Sequence, residues 1–169
     1  INMKRTTVLL LLIFFAAGIL NPREIRLLTI GNSFSEDAVE HYLHGLVAAE
    51  GDTIVIGNMY IGGCSLETHH NNAQNDAPAY SYRKIVDGVK SVTANYRLSD
   101  ALVDEEWDYI SLQQVSSLSG IYDSYHPYIA SLMDYAKRVA RNDDVVFILH
   151  ATWAYAGDSK HSGFANYDN

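Results

Sequence analysis

Residues 24–36 read EIRLLTIGNSFSE, and the order of side chains in that stretch decides the fold. Glu24 to Ile30 is a short apolar run that closes on Gly31-Asn32. From Asp37 to Glu50, Ala38, Val39, Tyr42, Leu43, Leu46 and Val47 then recur at helical spacing. A buried strand followed at once by an amphipathic helix is the reading these two periods support. Ser33 falls at the junction. A hydroxyl there is held out at the edge of a sheet, and its backbone N–H lies near the positive end of a helix dipole, as an acyl-transfer nucleophile requires. Ser33 and Glu36 also match the Ser-x-x-Glu capping box, which needs no catalysis.

Working outward, Asp52 to Ile61 is a second, β-branched run that ends in the Gly62-Gly63 turn. His69 to Ala79, with four amide residues and Pro78, reads as a loop, and Tyr80 to Tyr96 as a hairpin about Asp87-Gly88 that leaves the main sheet. Ser99 to Glu106 is expected to form a short helix, Tyr109 to Gln113 a buried strand, and Ser116 to Tyr125 a turn-rich connection. Pro127 to Arg141 places Ile129, Leu132, Met133, Ala136, Val139 and Ala140 on one helical face, and Val145 to Leu149 is a fourth core strand. Alternation of strands and helices predicts a three-layer α/β/α domain with a mainly parallel sheet. In such sheets the ligand site lies at the carboxyl ends of the strands. Those ends carry Asn32-Ser33, Gly62-Gly63-Cys64, Gln113-Gln114 and His150 to Trp153, which should share one crevice.

The bulk properties narrow the function. With 169 residues, 48% of them hydrophobic, the chain can bury one ordinary core. Twenty acidic residues against twelve basic ones give a net charge of −8 with no later basic cluster, so no nucleic-acid partner is expected. Met3-Lys4-Arg5 followed by the apolar run Val8 to Ala17 and small residues at Ala16, Ala17 and Gly18 reads as a signal peptide over residues 1–20, ahead of a domain at 21–169. The run is short for a membrane span, which needs about 20 residues. A periplasmic or secreted protein without lasting membrane association follows. Removing residues 1–18 deletes Lys4 and Arg5 and no acid, which takes the charge from −8 to −10. Cys64 is the sole cysteine, so there is no internal disulfide. Ile1-Asn2 precede Met3, and Tyr167-Asp168-Asn169 follow no terminating element, which reads as a piece of a longer frame.

Four short blocks stand at the four strand ends: Ile30-Gly31-Asn32-Ser33-Phe34-Ser35, Tyr60-Ile61-Gly62-Gly63-Cys64-Ser65-Leu66, Trp107 to Gln114, and His150-Ala151-Thr152-Trp153-Ala154-Tyr155. Together, over roughly residues 24–169, they resemble the SGNH (GDSL-like) hydrolases, and most closely a little-characterised subfamily of gut-type bacteria. The resemblance implies a flavodoxin-like α/β/α fold, Ser33 as the nucleophile and Gly63 as a backbone donor to the oxyanion. Gln113 or Gln114 would be the side-chain donor, and Gln113 is preferred because it ends the strand. Family members carry a later Asp-x-x-His block that supplies the base. Asp158-Ser159-Lys160-His161 matches it by spacing but follows the fourth strand too closely, so the base is expected outside this stretch.

The function implied is an exported serine ester hydrolase, acting on a small-molecule or carbohydrate ester such as an O-acetyl sugar. The alternative is a non-catalytic carbohydrate-binding domain of the same fold. No cofactor is expected, because the glycines from Gly57 to Gly63 lack dinucleotide spacing, and no metal. His41 and His44 at i, i+3 beside Glu40 read as a solvated helix face, and His69-His70 lack partner ligands. Among the aromatics, Trp107 reads as core, while Trp153 and Tyr155 lie past a strand end and are the candidates for sugar stacking. Cys64 reads as a small buried residue rather than a nucleophile.

Overall fold

The computed structural model describes residues 22–167, and the segment read as an export signal lies outside them. Six strands, β1 (Glu24–Gly31), β2 (Thr53–Tyr60), β3 (Tyr80–Val86), β4 (Val89–Tyr96), β5 (Tyr109–Gln113) and β6 (Val146–His150), form one sheet in the order β4-β3-β2-β1-β5-β6. The run β2-β1-β5-β6 is parallel, with Leu28 opposite both Gly57 and Ile110. Among the described residues five α-helices accompany it: α1 (Ser33–Val39), α2 (Leu43–Ala49), α3 (Leu66–Gln74), α4 (Leu98–Leu102) and α5 (Tyr128–Val139).

Period-two alternation along β1 sends side chains to both faces of the sheet, which is why helices cover both. Leu28 and Ile30 join Met59, Ile110 and Leu112 in the larger core, closed by Leu66, Leu102, Trp107, Leu132 and Ala136. Ile25 and Leu27 turn the other way, to Val39, Ile54, Ile56 and Ile85 with Leu43 and Val47. The fold is therefore the expected three-layer α/β/α arrangement. Trp107 is fully buried, and its indole N–H donates to the Ala101 carbonyl at 2.8 Å.

Local expectations are corrected in four places. The helix expected over Asp37 to Glu50 is two helices broken at 40–42, because the Glu40 carboxylate turns into the sheet, where Asn58, Arg83 and Lys90 hold it. Tyr42 and Leu46, placed on the apolar face by spacing, are exposed as a result. The stretch expected as a loop contains α3. Ser65 Oγ accepts the Thr68 N–H as its cap, and Leu66, His69 and Ala73 form a buried stripe that includes a polar residue. The hairpin does not leave the sheet, since β3 pairs antiparallel with β2 and buries Tyr80, Tyr82 and Ile85. Its turn is tight, with Asp87 and Gly88 at φ 52° and 75°. Finally, β6 is an edge strand, and Val146, Ile148 and Leu149 stay exposed rather than forming a fourth core strand.

Candidate active site

Ser33 is the first residue of α1, directly after β1, and is exposed. The capping box is not formed. Asn32 is the N-cap instead: its Oδ1 accepts the Phe34 N–H at 3.2 Å, while Glu36 turns to Arg83. Among the described residues no hydrogen bond engages the Ser33 hydroxyl, so it is free of the structural duty that the capping reading assigned to it.

Asn32 also ties the neighbouring strand ends together. Its Nδ2 donates to the Cys64 carbonyl at 3.0 Å, and its backbone N–H donates to Gln113 Oε1 at 3.3 Å. The Ile61 N–H donates to the Gly31 carbonyl at 3.2 Å, which carries β2 into the Gly62-Gly63 turn alongside β1. Gly63 takes φ +64°, a left-handed conformation that costs an L-residue about 1–2 kcal/mol. It is exposed, and open space surrounds its Cα. The ends of the three adjacent strands β2, β1 and β5 thus bring Gly63, Ser33 and Gln113 to one edge of the sheet, held through a single asparagine.

The two glutamines have different duties. Gln114 is occupied at both ends: its Oε1 accepts from the Leu66 and Val115 N–H groups at 3.0 and 2.9 Å, and its Nε2 donates to the Ser124 carbonyl at 2.9 Å. It braces the start of α3 against the Ser116–Tyr125 connection. Gln113 uses only its oxygen, and its buried Nε2 has no partner. An orphaned buried N–H group is costly, and such groups recur where a ligand completes the bond. Behind them, a Cβ at Gly31 would stand 2.6 Å from Gln113 Oε1 and 2.8 Å from Ser35 Oγ, so only glycine fits there.

A second network, which the sequence analysis did not single out, anchors α1 from behind. Ser35 Oγ donates to the Asn32 carbonyl (2.7 Å), and a 3.1 Å contact links it to Asn58 Oδ1, which also accepts from Thr29 (2.8 Å). Asn58 Nδ2 donates to the fully buried Glu40 carboxylate at 2.6 Å, and Arg83 bridges Glu40 to Glu36 with its guanidinium 3.7 Å above the Tyr60 ring. Polar residues inside apolar runs, Thr29 in β1 and Asn58 in β2, were the available signal.

The fourth strand end reaches the site through Trp153, whose ring centroid lies 4.4 Å from that of Phe34, the residue after Ser33. Tyr155, the other candidate for stacking, packs instead against His161, Phe164 and Tyr167, and its hydroxyl bonds Ser116 Oγ. His161 Nδ1 is taken by the Tyr155 hydroxyl and the Gly163 N–H, both at 3.0 Å, and no hydrogen bond joins it to Asp158 among the described residues. His150 ends β6 opposite Gln113, and burial lowers its pKa. Burial also pushes the Cys64 thiol up to about 12, which leaves it protonated and inert. Among the described residues no three His, Cys, Asp or Glu side chains cluster as metal ligands would.

The architecture recurs in solved structures. A Slackia heliotrinireducens protein, provisionally called an SGNH hydrolase, superposes with a TM-score of 0.52 at 22% identity over 82% of this chain and 61% of its own, a likeness of fold. A Bacteroides uniformis ATCC 8492 protein of the DUF4886 family superposes far better, with a TM-score of 0.82 and 54% identity over 85% of this chain. The chain spans 56% of the length of that protein. Residues 26–169 match the same family, described as a domain of unknown function (DUF4886), and the chain belongs to it. The comparison with curated proteins found no match.

Proposed function

We propose that the chain is the nucleophile-bearing part of an SGNH-type serine hydrolase that cleaves acyl esters. The observation that carries this reading is the strand-edge constellation: an exposed, unengaged Ser33 hydroxyl, a turn at Gly63, and a buried Gln113 amide with no partner, tied together by Asn32. In the step proposed, Ser33 Oγ attacks the ester carbonyl carbon while a histidine removes its proton. The Ser33 and Gly63 N–H groups and Gln113 Nε2 receive the oxyanion. Collapse expels the alcohol, which takes the proton from the histidine, and water then releases the acid from the acyl-enzyme. Among the described residues no histidine hydrogen-bonds Ser33, and in the reading proposed the base is supplied from outside them. Export to the periplasm or medium and an O-acetylated carbohydrate as substrate belong to the same proposal.

Chemical rescue tests it. Imidazole supplied in solution should stand in for the histidine and raise p-nitrophenyl acetate turnover above that of the Ser33→Ala variant under identical conditions. A folded chain indistinguishable from Ser33→Ala with and without imidazole would remove Ser33 as the nucleophile. That result would favour the second reading, a carbohydrate-binding module, which rests on the same lack of a histidine bonded to Ser33.

A further inference from the structure

The crevice edge carries one large aromatic surface that neither the fold nor the acyl-transfer chemistry uses. Trp153 is 61% exposed, yet it is not loose. Thr152 Oγ1 meets Ser119 Oγ at 2.8 Å and the Tyr155 hydroxyl meets Ser116 Oγ at 3.0 Å, so both flanks of the indole are tied to the connection after β5. The indole itself rests on Phe34, tilted by 53°, and the Phe34 N–H is fixed by the Asn32 cap. The shelf is therefore registered to the nucleophile: Phe34 follows Ser33, and consecutive Cα atoms are about 3.8 Å apart. Of the other strongly exposed apolar side chains, Tyr42 and Leu46 lie at the start of and on α2, Val89 and Val92 on β4, Val146, Ile148 and Leu149 on β6, and Tyr122 on the connection after β5.

We infer that Trp153, propped on Phe34, is a stacking subsite for a sugar ring in the alcohol part of the substrate. The inference rests on the hydrolase reading of Ser33 and names what that site holds. An open indole suits a pyranose, which lays its C–H face on an aromatic ring and keeps its hydroxyls in water. A long acyl chain needs apolar walls on several sides, whereas Ser33, Gly62, Gly63 and Trp153 are all exposed here. The net charge of −8 disfavours anionic sugars and points to a neutral one.

Acetylated xylotetraose is the probe, and calorimetric titration of the folded chain is the readout. The chain and its Ser33→Ala variant should both bind it saturably. Trp153→Ala should weaken binding about tenfold, the order expected of one lost aromatic stack, and Trp153→Tyr should recover most of it. In the chain, selective excitation of tryptophan should show an emission change on binding, because Trp107 is fully buried and Trp153 is not. Equal binding by Trp153→Ala and the chain, or no saturable binding at all, would overturn the inference. The two proposals fail separately. Sugar binding without Ser33-dependent turnover in the presence of imidazole sinks the hydrolase reading and keeps the shelf, and imidazole-assisted, Ser33-dependent turnover with Trp153→Ala binding unchanged does the reverse.

Discussion

Replacing Arg83 with methionine tests how firmly the helix that carries Ser33 is anchored. The guanidinium lies 2.6 Å from Glu36 and 3.2 Å from Glu40, whose side chain is 0% exposed. Opposite charges at that separation attract by about 5 kcal/mol at an effective dielectric constant of 20, a gross figure that desolvation reduces. Breaking a buried pair from one side costs roughly 3–5 kcal/mol, because a carboxylate stays behind in low dielectric. Lys90 remains at 3.1 Å, and its side chain is 44% exposed, so part of the loss is covered. The expected destabilisation is then near the lower limit, about 3 kcal/mol, which for a domain of this size lowers Tm by roughly 6–12 °C. Lys90→Met, which removes a largely solvated partner of the same carboxylate, should cost about 1 kcal/mol or less. Thermal unfolding followed by circular dichroism reads both. If Arg83→Met melts within about 2 °C of the parent, or Lys90→Met falls as far, the buried pair does not anchor α1.

Three further outcomes follow from the geometry. Gly31→Ala forces a methyl group against Gln113 Oε1 and Ser35 Oγ, so it should destabilise by roughly 1–3 kcal/mol and slow the imidazole-assisted, Ser33-dependent ester cleavage, while equal stability and rate would show that the cradle yields. Gln114→Ala strands two backbone N–H groups and should cost about 2–4 kcal/mol in chemical denaturation, more than Gln113→Ala, which strands one; the reverse order would exchange their duties. Burial holds the His69 imidazole down at about 3, against an ordinary value near 6.5, so the unfolded chain binds a proton that the folded chain refuses. Stability should therefore fall as pH drops from about 6.5 towards 3, by up to roughly 1.4 kcal/mol per pH unit, and His69→Gln should remove about one proton from that slope. An unchanged slope in urea titrations across that range would refute it.

Much of this molecule is legible along the chain. The apolar run Glu24 to Ile30, the β-branched run before Gly62 and the apolar face of 127–141 determine a parallel α/β sheet, because burial on both faces leaves few other solutions for such patterns. The strand-edge placement of Ser33, Gly63 and Gln113 follows from the same order, since parallel strands end on one side. The sequence did not disclose what depends on partners distant in the chain. His69 reads as loop-like and polar, but Tyr80 accepts it into the core as a neutral ring at 3.1 Å. Glu40 belongs to the helical pattern of its neighbours, yet Arg83, forty-three residues on, draws it inward and breaks the helix. The choice between Gln113 and Gln114 turned on whether each amide found a partner on α3 or after Leu118. A hydrogen bond of that kind is set by three-dimensional proximity and leaves no period in the sequence; only the tertiary structure decided it.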